Sequence, residues 1–180
     1  MPNKFHLAFI CNFTPDEWTG PFGSGGAPWD GQFYIDTARA LERAGFDYII
    51  LEDKLMVPEA YGGTADAALV HAMEVPKHDP VPLAVALGLN TKHLGIVTTL
   101  STMAYPPFMV ARLASTVDSM LNGRFGWNIV TSAEDLAAQN FGMEALPTRE
   151  ERYARADEYV EVVKALFDSW DHDAVVLDRE

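Results

Sequence analysis

The chain has 180 residues, 48% apolar and 22% charged, a balance that supports a packed core and excludes a chain disordered throughout. Thirteen Lys and Arg against 26 Asp and Glu give a net charge of −13, which leaves no concentrated basic face for nucleic acid or for an anionic membrane. A single cysteine, no apolar run near the ~20 residues of a membrane span and no secretory apolar core at the N-terminus predict a cytoplasmic setting.

In chain order the residues read as four strand-then-helix units. Phe5 to Cys11 is a short, nearly all-apolar run, the pattern of a strand buried on both faces. A glycine- and proline-rich loop follows from Asn12 to Trp29. Phe33 to Ala44 reads as a helix, with Gly45 where a C-terminal stop belongs. A second strand, Phe46 to Leu51, runs into Glu52-Asp53-Lys54, and a long loop with Tyr61-Gly62-Gly63-Thr64 comes next. Asp79-Pro80 supplies a capping residue and then a proline at the first helical position, opening a helix that runs to Asn90. Leu94 to Leu100, rich in β-branched residues, is the third strand.

Pro106-Pro107 starts the third helix, with Val110, Leu113, Ala114, Val117 and Leu121 on one face and Asn122-Gly123 at its end. Arg124 to Thr131 is the fourth strand. Thr148-x-x-Glu151 has capping-box spacing, and the helix behind it carries Ala156, Tyr159, Val160, Val163, Phe167 and Trp170 on one stripe. Strict alternation of strands with helices implies parallel crossovers. An open sheet and half of a (β/α)8 barrel both fit this pattern. In either, ligands bind at the carboxyl ends of the strands.

Four clusters fall at those ends. The Asn12–Trp29 loop reads as a mobile wall or an ordinary surface loop; it lacks the spacing of a phosphate-binding loop. Glu52-Asp53-Lys54 offers carboxylates to a ligand or caps to a loop. Thr98-Thr99-Leu100-Ser101-Thr102 offers hydroxyls to a ring edge, although Thr is also simply a good strand former. Asn128 is an amide inside an apolar strand and needs a partner, either a ligand's heteroatoms or an internal hydrogen bond. The five histidines have no metal spacing, and no metal site is expected. No nucleophile elbow appears either, so difficult chemistry falls to a bound cofactor.

Gly126-Trp127-Asn128-Ile129-Val130-Thr131-Ser132, then Asn140-Phe141-Gly142 and Arg152-Tyr153-x-x-Ala156-x-Glu158, resembles the bacterial-luciferase-like flavin monooxygenases. The similar branch is that of nitrilotriacetate, pristinamycin and dibenzothiophene-sulfone monooxygenases. Thr99-x-Ser101-Thr102, Pro107, Ala111-Arg112 and the Ala44-Gly45-Phe46-Asp47 to Glu52-Asp53 stretch also match, so the resemblance spans nearly the whole chain.

The resemblance implies an α/β fold, a (β/α)8 TIM-type barrel of which residues 1–180 form the N-terminal half, about four βα units of one incomplete domain. That half is either a fragment of a longer chain or a unit that assembles with another. The resemblance further implies reduced FMN as cosubstrate, supplied by a separate NAD(P)H-dependent flavin reductase. The flavin reacts with O2 to a C4a-(hydro)peroxide, which oxygenates a small organic substrate. A homo-oligomer is expected. Asp53, Thr99, Asn128 and Tyr153 match family positions near the flavin. So does position 149, where the family commonly has His and this chain has Arg149. A deazaflavin-dependent oxidoreductase of the same fold, or a non-catalytic flavin-binding or assembly half-barrel, is the alternative.

Overall fold

The computed structural model describes residues 5–11, 30–72 and 74–178. The Asn12–Trp29 loop lies outside the described residues. Four parallel strands, β1 (Ala8–Cys11), β2 (Tyr48–Leu51), β3 (Gly95–Ser101) and β4 (Phe125–Val130), pair in the order β1-β2-β3-β4. Between and after them run α1 (Gly31–Ala44), α2 (Asp66–His71), α3 (Pro80–Leu89), α4 (Pro107–Met120), α5 (Asp135–Gln139) and α6 (Arg149–Phe167). The sequential strand order contains no switch point, which is how barrels wind and how doubly wound sheets do not.

The local signals act as their chemistry requires. Asp79 accepts from the Val81 amide ahead of Pro80, and the Thr148–Glu151 capping box is reciprocal. At the end of α1, Gly45 takes φ +83°, where a side chain would be strained. The two short helices α2 and α5 lie inside stretches read from the sequence as loops; neither is long enough to show a period.

Register decides which residues meet. Phe9, Ile49, Ile96 and Phe125 form one row across the sheet, and Cys11, Leu51, Thr98 and Trp127 another on the same face. Helices α1, α3, α4 and α6 cover this face, and Ala38, Ala84, Leu87, Val110 and Val163 pack against it. The small residues there let helices approach closely. A Cβ on Gly88 in α3 would collide with the fully buried Leu121 side chain.

The opposite face carries Ile10, Ile50, Val97 and Gly126 in one row and Thr99 and Asn128 in the next. The helices that build the core do not cover it. This corrects the expectation that the first strand is buried on both faces: Cys11 is buried while Ile10 is 60% exposed. The stripe predicted along the last helix also ends early. Ala156, Tyr159 and Val163 are buried, but Phe167, the last residue of α6, and Trp170, beyond its end, are exposed.

At the end of the sheet where the strands begin, the Glu42 carboxylate accepts from the Lys92, His93 and Leu94 amides at 2.8, 2.6 and 3.0 Å, clamping α1 to the start of β3. Burial works to raise its pKa, but these backbone donors outweigh it and hold the carboxyl below the usual range. That stabilisation is complete above the ordinary carboxylate value of 4.5 and is lost as pH falls through the lower folded value. Glu42→Gln should cost about 1 kcal/mol at neutral pH. In urea unfolding, the gap to wild type should narrow between neutral and acid pH, as the carboxyl takes up its proton below 4.5. A gap of equal size at both pH values would show that the carboxylate charge is irrelevant.

Candidate functional site

A cleft of about 680 Å³ opens at the carboxyl end of the sheet, over its uncovered face. Each wall comes from a different element. The strand floor contributes Ile10, Ile50, Thr99 and Asn128. The turn after β2 adds Glu52, Asp53 and Lys54, and the segment after β4 adds Thr131, Ser132 and Glu134. One face of α6 closes the side with Tyr153, Ala156, Asp157 and Val160.

Pleating sorts the hydroxyl cluster on β3. Thr99 and Ser101 face the cleft, whereas Thr98 lies in the row that meets the helices and Thr102 is fully buried. The Thr98 and Thr102 hydroxyls are buried with no hydrogen-bond partner among the described residues. Ser101 and Ser132 pair through their hydroxyls at 2.7 Å, and Ser101 Oγ also accepts from the Met103 amide. Ser132 sits at φ +62°, a strained conformation for serine, at the turn that carries the chain from β4 into the cleft wall.

Asn128 lies in the middle of β4 beside Thr99. Its Nδ2 donates to Thr99 Oγ1 at 3.0 Å. The amide therefore has an internal partner, and it also lines the cleft. Among the described residues no other hydrogen bond engages the carboxamide, so its oxygen and second N–H are available to a ligand.

Asp53 is pushed up to about 6, first by burial and then by the neighbouring Asp79 carboxylate, against the Lys54 amide and the Lys77 ammonium. Burial and the same two carboxylates, Asp79 and Asp53, push Tyr105 up to about 12. For Asp53 the ionised form is the strained one. The cost to folding is present above pH 6 and vanishes as pH falls below the ordinary value of 3.8. Asp53→Asn should therefore stabilise the protein by about 1 kcal/mol at pH ~8, after allowing for solvent screening, and by nothing near pH ~3. Thermal melts of both proteins at the two pH values check this. Equal or opposite shifts would contradict it.

The cleft thus brings together Asp53, Thr99, Asn128 and Tyr153 from three strand ends and a helix. Arg149 is not part of its lining; the guanidinium stands over the Tyr153 ring, 5.4 Å from the centroid. Glu134 and Ser132 are site residues that the sequence reading did not single out. Glu134 had no pattern to mark it, whereas Ser132 closed the Gly126–Ser132 motif. Among the described residues no helix is long and apolar enough to cross a membrane.

A family model described as luciferase-like monooxygenase matches residues 16–178. Dibenzothiophene-sulfone monooxygenase of Rhodococcus erythropolis is 41% identical over 150 residues, covering 83% of this chain and 33% of the relative. Nitrilotriacetate monooxygenase component A of Aminobacter aminovorans is 37% identical over 168 residues, covering 90% and 36%. Among solved structures, long-chain alkane monooxygenase matches with TM-score 0.91 at 34% identity, over 99% of this chain and 42% of its own. A riboflavin lyase structure with modified FMN and riboflavin matches with TM-score 0.88 at 27% identity, over 98% and 41%. The chain spans about a third of the length of these curated relatives.

Proposed function

Because the chain belongs to the luciferase-like monooxygenase family, we propose that its cleft holds the ring of reduced FMN in a two-component, flavin-dependent monooxygenase. The observation that carries this reading is the convergence of Asn128, Thr99, Asp53 and Tyr153 on one cleft. A cleft of about 680 Å³ is in the range of cofactor sites. The donor set also fits. The flavin's pyrimidine edge presents an alternation of carbonyl and N–H, and a carboxamide offers the complementary pair side by side. Asn128 would hold that edge, kept at its angle by Thr99. Asp53, with a pKa near the working range, would accept or give a hydrogen bond at the ring's rim, and the Tyr153 hydroxyl would add a donor.

Reduced FMN, when bound, supplies the two electrons with which one atom of O2 enters an organic substrate and the other leaves as water. The chain's own contribution is to orient the ring and to line the cleft with Ile10, Ile50, Val130 and Val160, which keep water from it. In this reading the four βα units are the first half of an eight-stranded barrel, and the working protein is a homo-oligomer. A separate NAD(P)H-dependent reductase delivers the reduced flavin. The nitrilotriacetate relative's designation as component A, in a protein 37% identical to this one, supports the two-component reading.

The test combines the intact protein with a flavin reductase, NADH, FMN and 18O2, and screens sulfones, aminopolycarboxylates and alkanes by mass spectrometry. A product heavier by one labelled oxygen is expected. Preferential binding of a deazaflavin without O2 uptake would replace the proposal with the hydride-transferring alternative. Flavin binding with no turnover would leave a flavin-binding module.

A further inference from the structure

The segment after β4 forms a wall of the cleft, and it is tied to the segment after β2 although β3 lies between those strands. Lys54 Nζ meets Glu134 Oε1 at 2.8 Å and Glu74 Oε2 at 3.5 Å. Asn140 Nδ2, at the end of α5, donates to the Leu55 carbonyl at 2.7 Å. Two ties therefore bridge the end of β3, and Ser132, Ala133, Glu134 and Ala137, which line the cleft, lie in the segment they hold.

The ion pairs are not ordinary surface pairs. The side chain of Lys54 is only 20% exposed, that of Glu74 27% and that of Glu134 37%. Burial disfavours the ammonium charge, but Glu134 and Glu74 outweigh it and hold its proton more tightly than usual. The stoichiometry matters more. One cation neutralises two carboxylates from segments 60 residues apart, so removing it leaves two partly buried like charges facing each other.

We propose that Lys54 is a positioning residue: steadied by Glu74, its ion pair with Glu134 holds the 131–140 segment closed as a wall of the cleft. Lys54 does not touch the reacting atoms in this assignment; it acts through the wall. That the wall encloses a flavin rests on the function proposed above. The clamp itself is read without flavin.

Hydrogen exchange on the flavin-free intact protein tests the clamp. In Lys54→Met, amides of residues 131–140 should exchange at least about tenfold faster, while those of β3 keep their wild-type rates. Lys54→Arg should stay within about twofold of wild type, because it keeps the cation. Adding Glu74→Gln to Lys54→Met should recover part of the protection, because it removes the repulsion. Glu134→Ala, which leaves Lys54 paired with Glu74, should also loosen the segment, and it decides the matter if Lys54→Met does not fold. Unchanged exchange at 131–140 in a folded variant would overturn the proposal. So would an equal rise across β3, the mark of general destabilisation.

FMN affinity is a separate readout, expected to fall about fivefold in Lys54→Met. If exchange behaves as expected but the wild-type protein binds no flavin, the functional reading fails and the clamp stands. If flavin binds and the exchange does not change, the clamp fails alone.

Discussion

Arg124→Met should cost about 3 kcal/mol of folding stability, the largest single loss expected in the described residues outside the apolar core. Arg124 sits just before β4, and its guanidinium donates five hydrogen bonds. Nε reaches the Leu121 carbonyl at 3.0 Å. Nη1 reaches Thr91 Oγ1 at 3.2 Å and the Leu94 carbonyl at 2.9 Å. Nη2 reaches the Gly88 and Thr91 carbonyls at 2.8 and 3.3 Å. Four of these acceptors are backbone carbonyls: Gly88 and Thr91 at the end of α3, Leu121 at the end of α4, and Leu94 just before β3. Carbonyls at helix C-termini lack helical partners and carry partial negative charge, so a planar cation with a fork of donors suits them. Methionine keeps the stem and removes every donor. Arg124→Lys should cost about 1–2 kcal/mol, because a point charge keeps the cation but cannot span both helix ends. Urea unfolding measures both variants. A loss below about 0.5 kcal/mol for methionine would mean that water replaces the guanidinium at no cost.

Asn128→Ala should weaken FMN binding by about tenfold or more while the protein stays folded. The carboxamide is half-buried in β4, faces the cleft and has one internal bond, to Thr99. Truncation removes the group proposed to hold the pyrimidine edge and frees the Thr99 hydroxyl from the donor that orients it. Stability should change by only about 1 kcal/mol, since one neutral hydrogen bond is lost at a wetted surface. Tyr153→Phe provides the scale: a single hydroxyl on a half-exposed ring should change affinity less than about fivefold. Fluorescence titration with FMN reads all three proteins. Unchanged affinity in folded Asn128→Ala would remove Asn128 from the site.

The features legible in the sequence are those that local chemistry dictates. Gly45, Asp79-Pro80 and Thr148-x-x-Glu151 mark helix ends because each satisfies or replaces backbone groups within a few residues. The β3 and β4 spans read correctly because each is a short run rich in β-branched or aromatic residues. Asn128 stood out as an amide breaking an apolar run. Asp53 and Thr99 were marked by their place at strand ends, and Tyr153 only by family resemblance; their meeting in one cleft depends on register and crossover packing.

What stayed hidden depends on distance along the chain. Glu74 and Glu134 look like solvated carboxylates until the fold carries them both to Lys54. Arg124 reads as the first residue of a strand, and nothing local reveals that its five acceptors come from the ends of two helices and from the chain entering β3. Ile10 looks like any core strand residue. It is exposed because burial depends on what covers each face, and the first strand is covered on one. The end of α6 misleads too: Phe167 and Trp170 keep the helical period in the sequence, but the helix stops at Phe167 and both side chains are exposed.

A crystal structure of the intact protein with FMN would show whether the cleft over Thr99 and Asn128 holds the flavin ring. The pyrimidine edge should lie within hydrogen-bond distance of the Asn128 carboxamide, with Asp53 and Tyr153 at the rim of the same ring. Ring density elsewhere, with Asn128 still bonded only to Thr99, would contradict this placement.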